Sequence, residues 1–288
     1  MNEGFRAACV QITAGRELAP NIDRARNLVR EAFDAGADFV SLPENVTMIE
    51  PDTARAREKA VPEDDHPGLP AFRELAAESG RWLHVGSLSI AREDGRIANR
   101  SFLIDGAGGI VARYDKLHLF DVRLGNGESY RESDNVAPGE RAVLAPTPWG
   151  PIGLTICYDL RFPALYRSLA RAGARFLTIP AAFTRTTGRA HWEVLVRARA
   201  IETGCFVIAA AQCGEHAEGR STWGHSLIVD PWGTVMADGG EAEGVILADI
   251  DPAEVDRTRR RIPALEHDRD FAPPGPATFS VVPQSPGG

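Results

Sequence analysis

Strand-like and helix-like patterns alternate along almost the whole chain, and several strands arrive as tight antiparallel pairs. FRAACVQIT (5–13) reads as a strand. NIDRARNLVREAFDAGA (21–37) reads as an amphipathic helix with Leu28, Val29, Ala32 and Phe33 on one face, and DFVSLPEN (38–45) as a short buried strand. Residues 46–67 read as polar loop, 69–80 as a helix and 82–90 as a strand. Three hairpins follow in ANRSFLID–GAGG–IVARYDK, RAVLAPT–PWG–PIGLTICYD and SLIVDPWGTVMAD. Helices at 162–173 and 189–203 alternate with strands at 175–183 and 205–212, and the strand EGVILADID and the charged helix PAEVDRTRRRI close the pattern. Helical crossovers impose parallel pairing and hairpins impose antiparallel pairing. A chain obeying both builds mixed sheets, and a two-sheet α/β core with helices outside fits better than a single doubly wound sheet. With no linker and no repeat of about 20–50 residues, one domain over 1–275 is expected, followed by a Pro/Gly-rich tail at 276–288.

The bulk numbers narrow the function. A hydrophobic fraction of 43% supports a sizeable core. The net charge of −8 disfavours nucleic acid or an anionic membrane as partner. No window approaches the roughly 18 apolar residues of a spanning helix, and no signal peptide precedes FRAACV, so a cytoplasmic protein is expected. Cys9, Cys157, Cys205 and Cys213 lack zinc or CxxC spacing and read as reduced thiols. Neither HExxH nor a GxGxxG or Walker motif occurs, so neither metal nor cofactor is expected. Of the 32 basic residues only Lys59 and Lys116 are lysines. Lys59 sits in the polar stretch TARAREKAVPEDD, whereas Lys116 ends a strand.

Glu44, Lys116 and Cys157 each directly follow an apolar, strand-like run. Side chains at strand ends converge on a crevice in α/β folds. A carboxylate, an ammonium and a thiol suit acyl transfer: the first takes the thiol proton, the second steadies an oxyanion, the third attacks a carbonyl. Asp159 and Pro163 mark a helix start after Cys157, and helix N-termini lower thiol pKa values. Each residue also has a plain structural reading: a packed thiol, a turn carboxylate and a strand-end charge.

The segments LPEN, YDKLHLFD, ICYDLRFPALYR, AHWEVLVRARAIETGCFVIAAAQCG and WGHSLIVDPWG, in that order, give the chain a resemblance to the nitrilase-like carbon–nitrogen hydrolases. The resemblance spans almost the full length. It implies a four-layer αββα sandwich, with Glu44 as general base, Lys116 as oxyanion stabiliser and Cys157 as nucleophile. It also implies that Glu132 of YRES supports the site, with Glu128 the alternative, and that the Tyr158 N–H joins Lys116 on the oxyanion. The implied partners are a small-molecule amide and further copies of the chain. A homodimer or larger homo-oligomer would form through the helix carrying Leu165 and Leu169 and the helix carrying Val194, Leu195 and Ala198.

Tyr158-Asp159 after the cysteine, rather than Trp-Glu, favours amides over nitriles. Among amidase branches the later blocks look most like the deaminated-glutathione amidases, with the omega-amidases next. Both act on acids, and FTRTTGRAHW offers Arg185, Thr186, Thr187 and Arg189 as carboxylate ligands. Two other readings stand beside these. One is a Cys–His hydrolase using His191 or His225; the other is a non-catalytic scaffold of the same fold. The polar, Gly-rich segment 118–140 is long enough to be a functional loop or a lid.

Overall fold

A computed structural model describes residues 4–124 and 127–275; the expected tail at 276–288 lies outside the described residues. The first half runs β1 (Phe5–Gln11), α1 (Leu18–Asp34), β2 (Phe39–Ser41), α2 (Thr53–Lys59), α3 (Gly68–Ser79), β3 (Trp82–Ala91), β4 (Ile97–Ile104) and β5 (Ile110–Asp115). A small antiparallel pair, β6 (Asp121–Arg123) and β7 (Ser129–Arg131), leads onward. The second half contains β8 (Val143–Ala145), β9 (Ile152–Leu154), α4 (Pro163–Arg171), β10 (Phe176–Thr178), α5 (Arg185–Thr203) and β11 (Phe206–Ala209). A second small pair, β12 (Cys213–Glu215) and β13 (Ser221–Trp223), precedes β14 (Leu227–Val229), β15 (Val235–Asp238), β16 (Gly244–Ile250) and α6 (Ala253–Arg261).

Two six-stranded sheets result, ordered β16-β1-β2-β3-β4-β5 and β15-β14-β11-β10-β9-β8. Both are mixed in the same way. In each, three central strands pair in parallel (β1-β2-β3 and β9-β10-β11) and the outer pairings are antiparallel. One strand crosses between the halves: β16 follows the second half but edges the first sheet, beside β1. Ala7, Cys9 and Phe39 face the second sheet's Leu154, Phe176 and Ile208, while Ala8, Val10 and Val40 face Ala25, Val29 and Phe33 of α1 and Phe72 of α3. Alternate residues therefore serve different layers, which is why β1 and β2 read as continuous apolar runs. Tyr166 of α4 and Trp192 and Val196 of α5 cover the far face of the second sheet. The order of layers is αββα, as the resemblance implies. Among the described residues no helix is long and apolar enough to cross a membrane.

Local departures from the sequence reading have physical causes. Residues 46–67 hold α2, started by the Asp52 carboxylate accepting the Arg55 N–H at 2.9 Å. It buries only Ala56, so it leaves no apolar period to read. Helix α5 begins at Arg185 rather than near 189, because the Thr184 hydroxyl accepts the Thr187 N–H at 3.3 Å. The 118–140 segment is not bare loop; it contains β6, β7 and a 3-10 turn at Glu132–Asp134. Leu165 and Leu169, expected at a subunit interface, are buried in the chain's own core.

Gly86 marks where the two sheets meet closely. It sits in a bulge of β3 between Val85 and Leu88. A Cβ there would come within 2.0 Å of the Leu42 carbonyl oxygen, 2.5 Å of the Pro43 oxygen and 2.6 Å of Pro180 Cβ. Two of those obstacles are backbone and cannot swing aside. Gly86→Ala is expected to destabilise the chain by about 1–3 kcal/mol, the usual cost of overpacking, read as a lowered urea midpoint. An unchanged midpoint would mean that this contact is looser than described.

Candidate active site

The ends of β2, β5, β9 and β10 deliver side chains to one place. Glu44 lies three residues beyond β2, Lys116 directly beyond β5 and Cys157 three beyond β9. Ends of parallel strands are where α/β sheets open a crevice. The backbone after β10 ties the pieces together: the Cys157 N–H donates to the Pro180 carbonyl at 2.8 Å, and the Ala182 N–H donates to Glu44 Oε2 at 3.0 Å. Asn45 and Cys157, neither a glycine, both have positive φ, at 53° and 49°. Such strain persists only where surroundings impose it. The Asn45 N–H donates to Ser87 Oγ at 2.8 Å, and Gln212 Nε2 donates to the Glu44 carbonyl at 3.0 Å.

Lys116 Nζ donates to Glu44 Oε1 at 2.8 Å and to Glu132 Oε1 and Oε2 at 3.0 and 2.9 Å. Asn99 Nδ2 donates to Glu44 Oε1 at 2.9 Å and to Glu132 Oε1 at 3.3 Å. The Phe120 N–H holds Glu132 Oε2 at 2.6 Å. Glu128 accepts from Tyr130 Oη at 3.4 Å, and the glutamate bonded to Lys116 is Glu132. Glu44, Lys116 and Cys157 are 3%, 2% and 7% exposed, and the Cys157 thiol lies close enough to Glu44 for the two to bear on each other's ionisation.

The electrostatics follow from that geometry. Burial disfavours the charged form of every member. Burial alone would lower Lys116, but the carboxylates of Glu132 and Glu44 outweigh it and hold its pKa well above the ordinary value. Burial pushes Glu44 up, yet Lys116 and the hydrogen bonds from Cys157, Lys116 and Asn99 bring it below the usual range. Burial, then the Glu44 charge, push the Cys157 thiol well up, only partly offset by Lys116. The thiol lowering expected from a helix N-terminus is therefore overturned. Cys157 opens a short 3-10 turn, Cys157–Arg161, and α4 starts later, at Pro163.

Asp159 shapes that turn. Its carboxylate accepts from the Ile156 N–H at 2.8 Å, Tyr114 Oη at 2.7 Å and the His118 N–H at 3.0 Å, with His118 Nδ1 at 2.7 Å. The Cys157 N–H is spent on Pro180, whereas a 3-10 turn leaves the Tyr158 N–H without a partner inside the turn.

A cavity of about 420 Å³ opens over the thiol, lined among others by Glu44, Asn99, Lys116, Glu132, Tyr158 and Thr187. Of the four residues expected to bind a carboxylate, only Thr187 faces it. Arg185 pairs with Glu241 at 3.3 Å, Thr186 lies 3.4 Å from Glu128, and Arg189 lines a separate groove. All four sit in the first helical turns of α5 rather than in a loop. His191 lies beside Arg161 at 3.3 Å and His225 on Asp238 at 2.9 Å, neither in the cavity. The Cys–His reading thus lacks its geometry. Asn99, Gln212 and Arg220 were not foreseen. Asn99 was recoverable, because the ANRSFLID–IVARYDK hairpin register brings it opposite Lys116, whose N–H donates to the Asn99 carbonyl at 3.0 Å. Among the described residues no cluster of side chains suited to a metal occurs.

Residues 6–260 match the carbon–nitrogen hydrolase family model, and the chain belongs to that family. The chain is similar to the deaminated glutathione amidase of Yersinia enterocolitica, 40% identical over 91% of this chain and 92% of that protein. It is likewise similar to the Homo sapiens deaminated glutathione amidase, 43% identical over 91% of this chain and 81% of the relative. The C. elegans NitFhit protein superposes with a TM-score of 0.87 at 38% identity, covering 93% of this chain and 66% of that longer one. Saccharomyces cerevisiae Nit3, a member of branch 10 of the nitrilase superfamily, superposes with a TM-score of 0.82 at 28% identity, covering 91% of this chain and 95% of that one.

The coupling between Glu44 and Cys157 has a measurable sign. Because the thiol pKa is raised, iodoacetamide labelling of Cys157 should still be accelerating above pH 9. Glu44→Gln removes a negative charge that opposes the thiolate and leaves Lys116 in place, so the labelling profile should move to lower pH. A profile shifted upward, or not at all, would show that Glu44 does not govern the thiol.

Proposed function

We propose that the chain is a thiol amidase that cleaves a small, carboxylate-bearing amide through a thioester on Cys157. The observation that carries this reading is the buried thiol beside Glu44, whose carboxylate is also bonded by the Lys116 ammonium. Glu44 takes the thiol proton as Cys157 attacks the amide carbon. The oxyanion is met by Lys116 and the Tyr158 N–H, donors already in place before charge develops. Glu44 returns the proton to the departing amine, then takes one from the water that cleaves the thioester. Glu132 and Asn99 fix the ammonium and carboxylate in register. Asn99 Oδ1 is buried without a hydrogen-bond partner, and a substrate N–H is the donor it lacks.

The relatives named above direct the substrate to deaminated glutathione, cleaved to 2-oxoglutarate and cysteinylglycine. The free thiols Cys9, Cys157, Cys205 and Cys213 suit a reducing cytoplasm. Val194 and Ile201 stay exposed on α5 and suit contact with a second copy of the chain.

The test is product release from deaminated glutathione and 2-oxoglutaramate side by side, with Cys157→Ala as control. Faster hydrolysis of the first, falling at least about 10³-fold in Cys157→Ala, is expected. Preference for the second would make the chain an omega-amidase with the same chemistry. Turnover surviving in Cys157→Ala would overturn the mechanism.

A further inference from the structure

Three cationic side chains line the cavity, and two have carboxylate partners within it. Lys116 is shared by Glu44 and Glu132, and Arg131 faces Asp134 at 3.6 Å. Arg220 also lines the cavity, yet among the described residues no carboxylate pairs with it. Its Nε is buried with no hydrogen-bond partner. A buried donor left unmade is costly, so such a group needs a reason.

Arg220 is held in place by its surroundings. It stands just before β13, its carbonyl accepting the His216 N–H at 2.7 Å. Its guanidinium lies 5.9 Å from the centre of the Tyr130 ring. Tyr130 packs on Phe120, and Phe120 on Tyr158, each pair with ring centres 5.2 Å apart. Tyr158 is the residue after the nucleophile. Four of the cavity's lining side chains thus form a continuous wall from the thiol to an unpaired guanidinium. A substrate laid along this wall, with its amide at Cys157, extends toward Arg220.

We propose that Arg220 binds a carboxylate of the substrate at the far end of this aromatic wall, and so selects amides that carry an anionic group remote from the scissile bond. The proposal rests on the amidase reading above and names the residue behind its preference for acids. A guanidinium offers a planar fork to both carboxylate oxygens, and stacking on Tyr130 holds that fork in one orientation. Arg185 and Arg189, the arginines expected from sequence, do not reach the cavity.

The test compares the full-length wild type with Arg220→Gln and Arg220→Lys on deaminated glutathione, 2-oxoglutaramate and the neutral propionamide. In Arg220→Gln, KM for an acid substrate should rise about 10- to 100-fold while kcat changes less than about threefold. The preference for acid over neutral amide should fall in proportion, and Arg220→Lys should recover part of it. Calorimetric binding of intact deaminated glutathione to Cys157→Ala should weaken by the same factor when Arg220→Gln is added. A rise for both acids supports an anchor on the acyl-side carboxylate. A rise for deaminated glutathione alone supports an anchor on the amine-side carboxylate. If the wild type hydrolyses the acids and Arg220→Gln keeps both its preference and its affinity, the assignment of Arg220 fails by itself. If the wild type hydrolyses only the neutral amide, the substrate reading fails and this assignment with it.

Discussion

The site depends on one buried ammonium held between two carboxylates. Lys116, Glu44 and Glu132 are withdrawn from water together, and taking charges out of water costs several kcal/mol each unless partners meet them. Here they do: Lys116 bonds both glutamates, and Asn99 bonds both again from the neighbouring strand. Removing Lys116 would leave two carboxylates facing each other, a defect of about 3–5 kcal/mol by analogy with other broken buried pairs. The same arrangement suits the chemistry proposed above. Moving the thiol proton to Glu44 conserves the total charge of the buried cluster, so activation of Cys157 requires no new charge in a dry site. With a raised thiol and a lowered carboxylate, that transfer is uphill at rest. It becomes favourable as the attack creates an oxyanion that Lys116 can meet. The reactive thiolate is thus coupled to the presence of substrate.

Bringing those groups together is the work of the paired sheets. Each half of the chain builds three parallel strands, and the second half lends β16 to the first sheet, so the first half does not complete its sheet alone. Glu44 comes from the first half and Cys157 from the second. Their meeting point is the narrow crossing at Gly86, where the Pro43 and Pro180 segments pass within reach of a single missing methyl group. Positive φ at both Asn45 and Cys157 belongs to the same junction. Hydrogen bonds to Ser87 Oγ and the Pro180 carbonyl, and one from Gln212, supply the constraint that such backbone needs.

Much of this was legible in the sequence because its signals are local. Apolar runs ending in Glu44, Lys116 and Cys157 placed all three at strand ends, and hairpin turns announced mixed sheets. What escaped was non-local or lacked a period. Helix α2 buries one residue and so shows no apolar face. The thiol pKa was misjudged because a helix start is visible in a sequence, whereas full burial, and a carboxylate brought from 113 positions away (157 minus 44), are not. Arg185 and Arg189 looked suitable as arginines near a strand end, but an earlier helix start turns them outward. Arg220 gave no signal at all; it counts only because β13 carries it to Tyr130, which lies in a segment remote in the chain.

The proposed reaction requires that Cys157, and no other group, form a bond to the acyl part of the substrate. Acid quenching during steady-state turnover, followed by peptide mass spectrometry, tests it most directly. The peptide containing Cys157 should carry the acyl mass, labile to hydroxylamine as a thioester is. Rapid turnover with every cysteine peptide unmodified, or an acyl group on another residue, would contradict it.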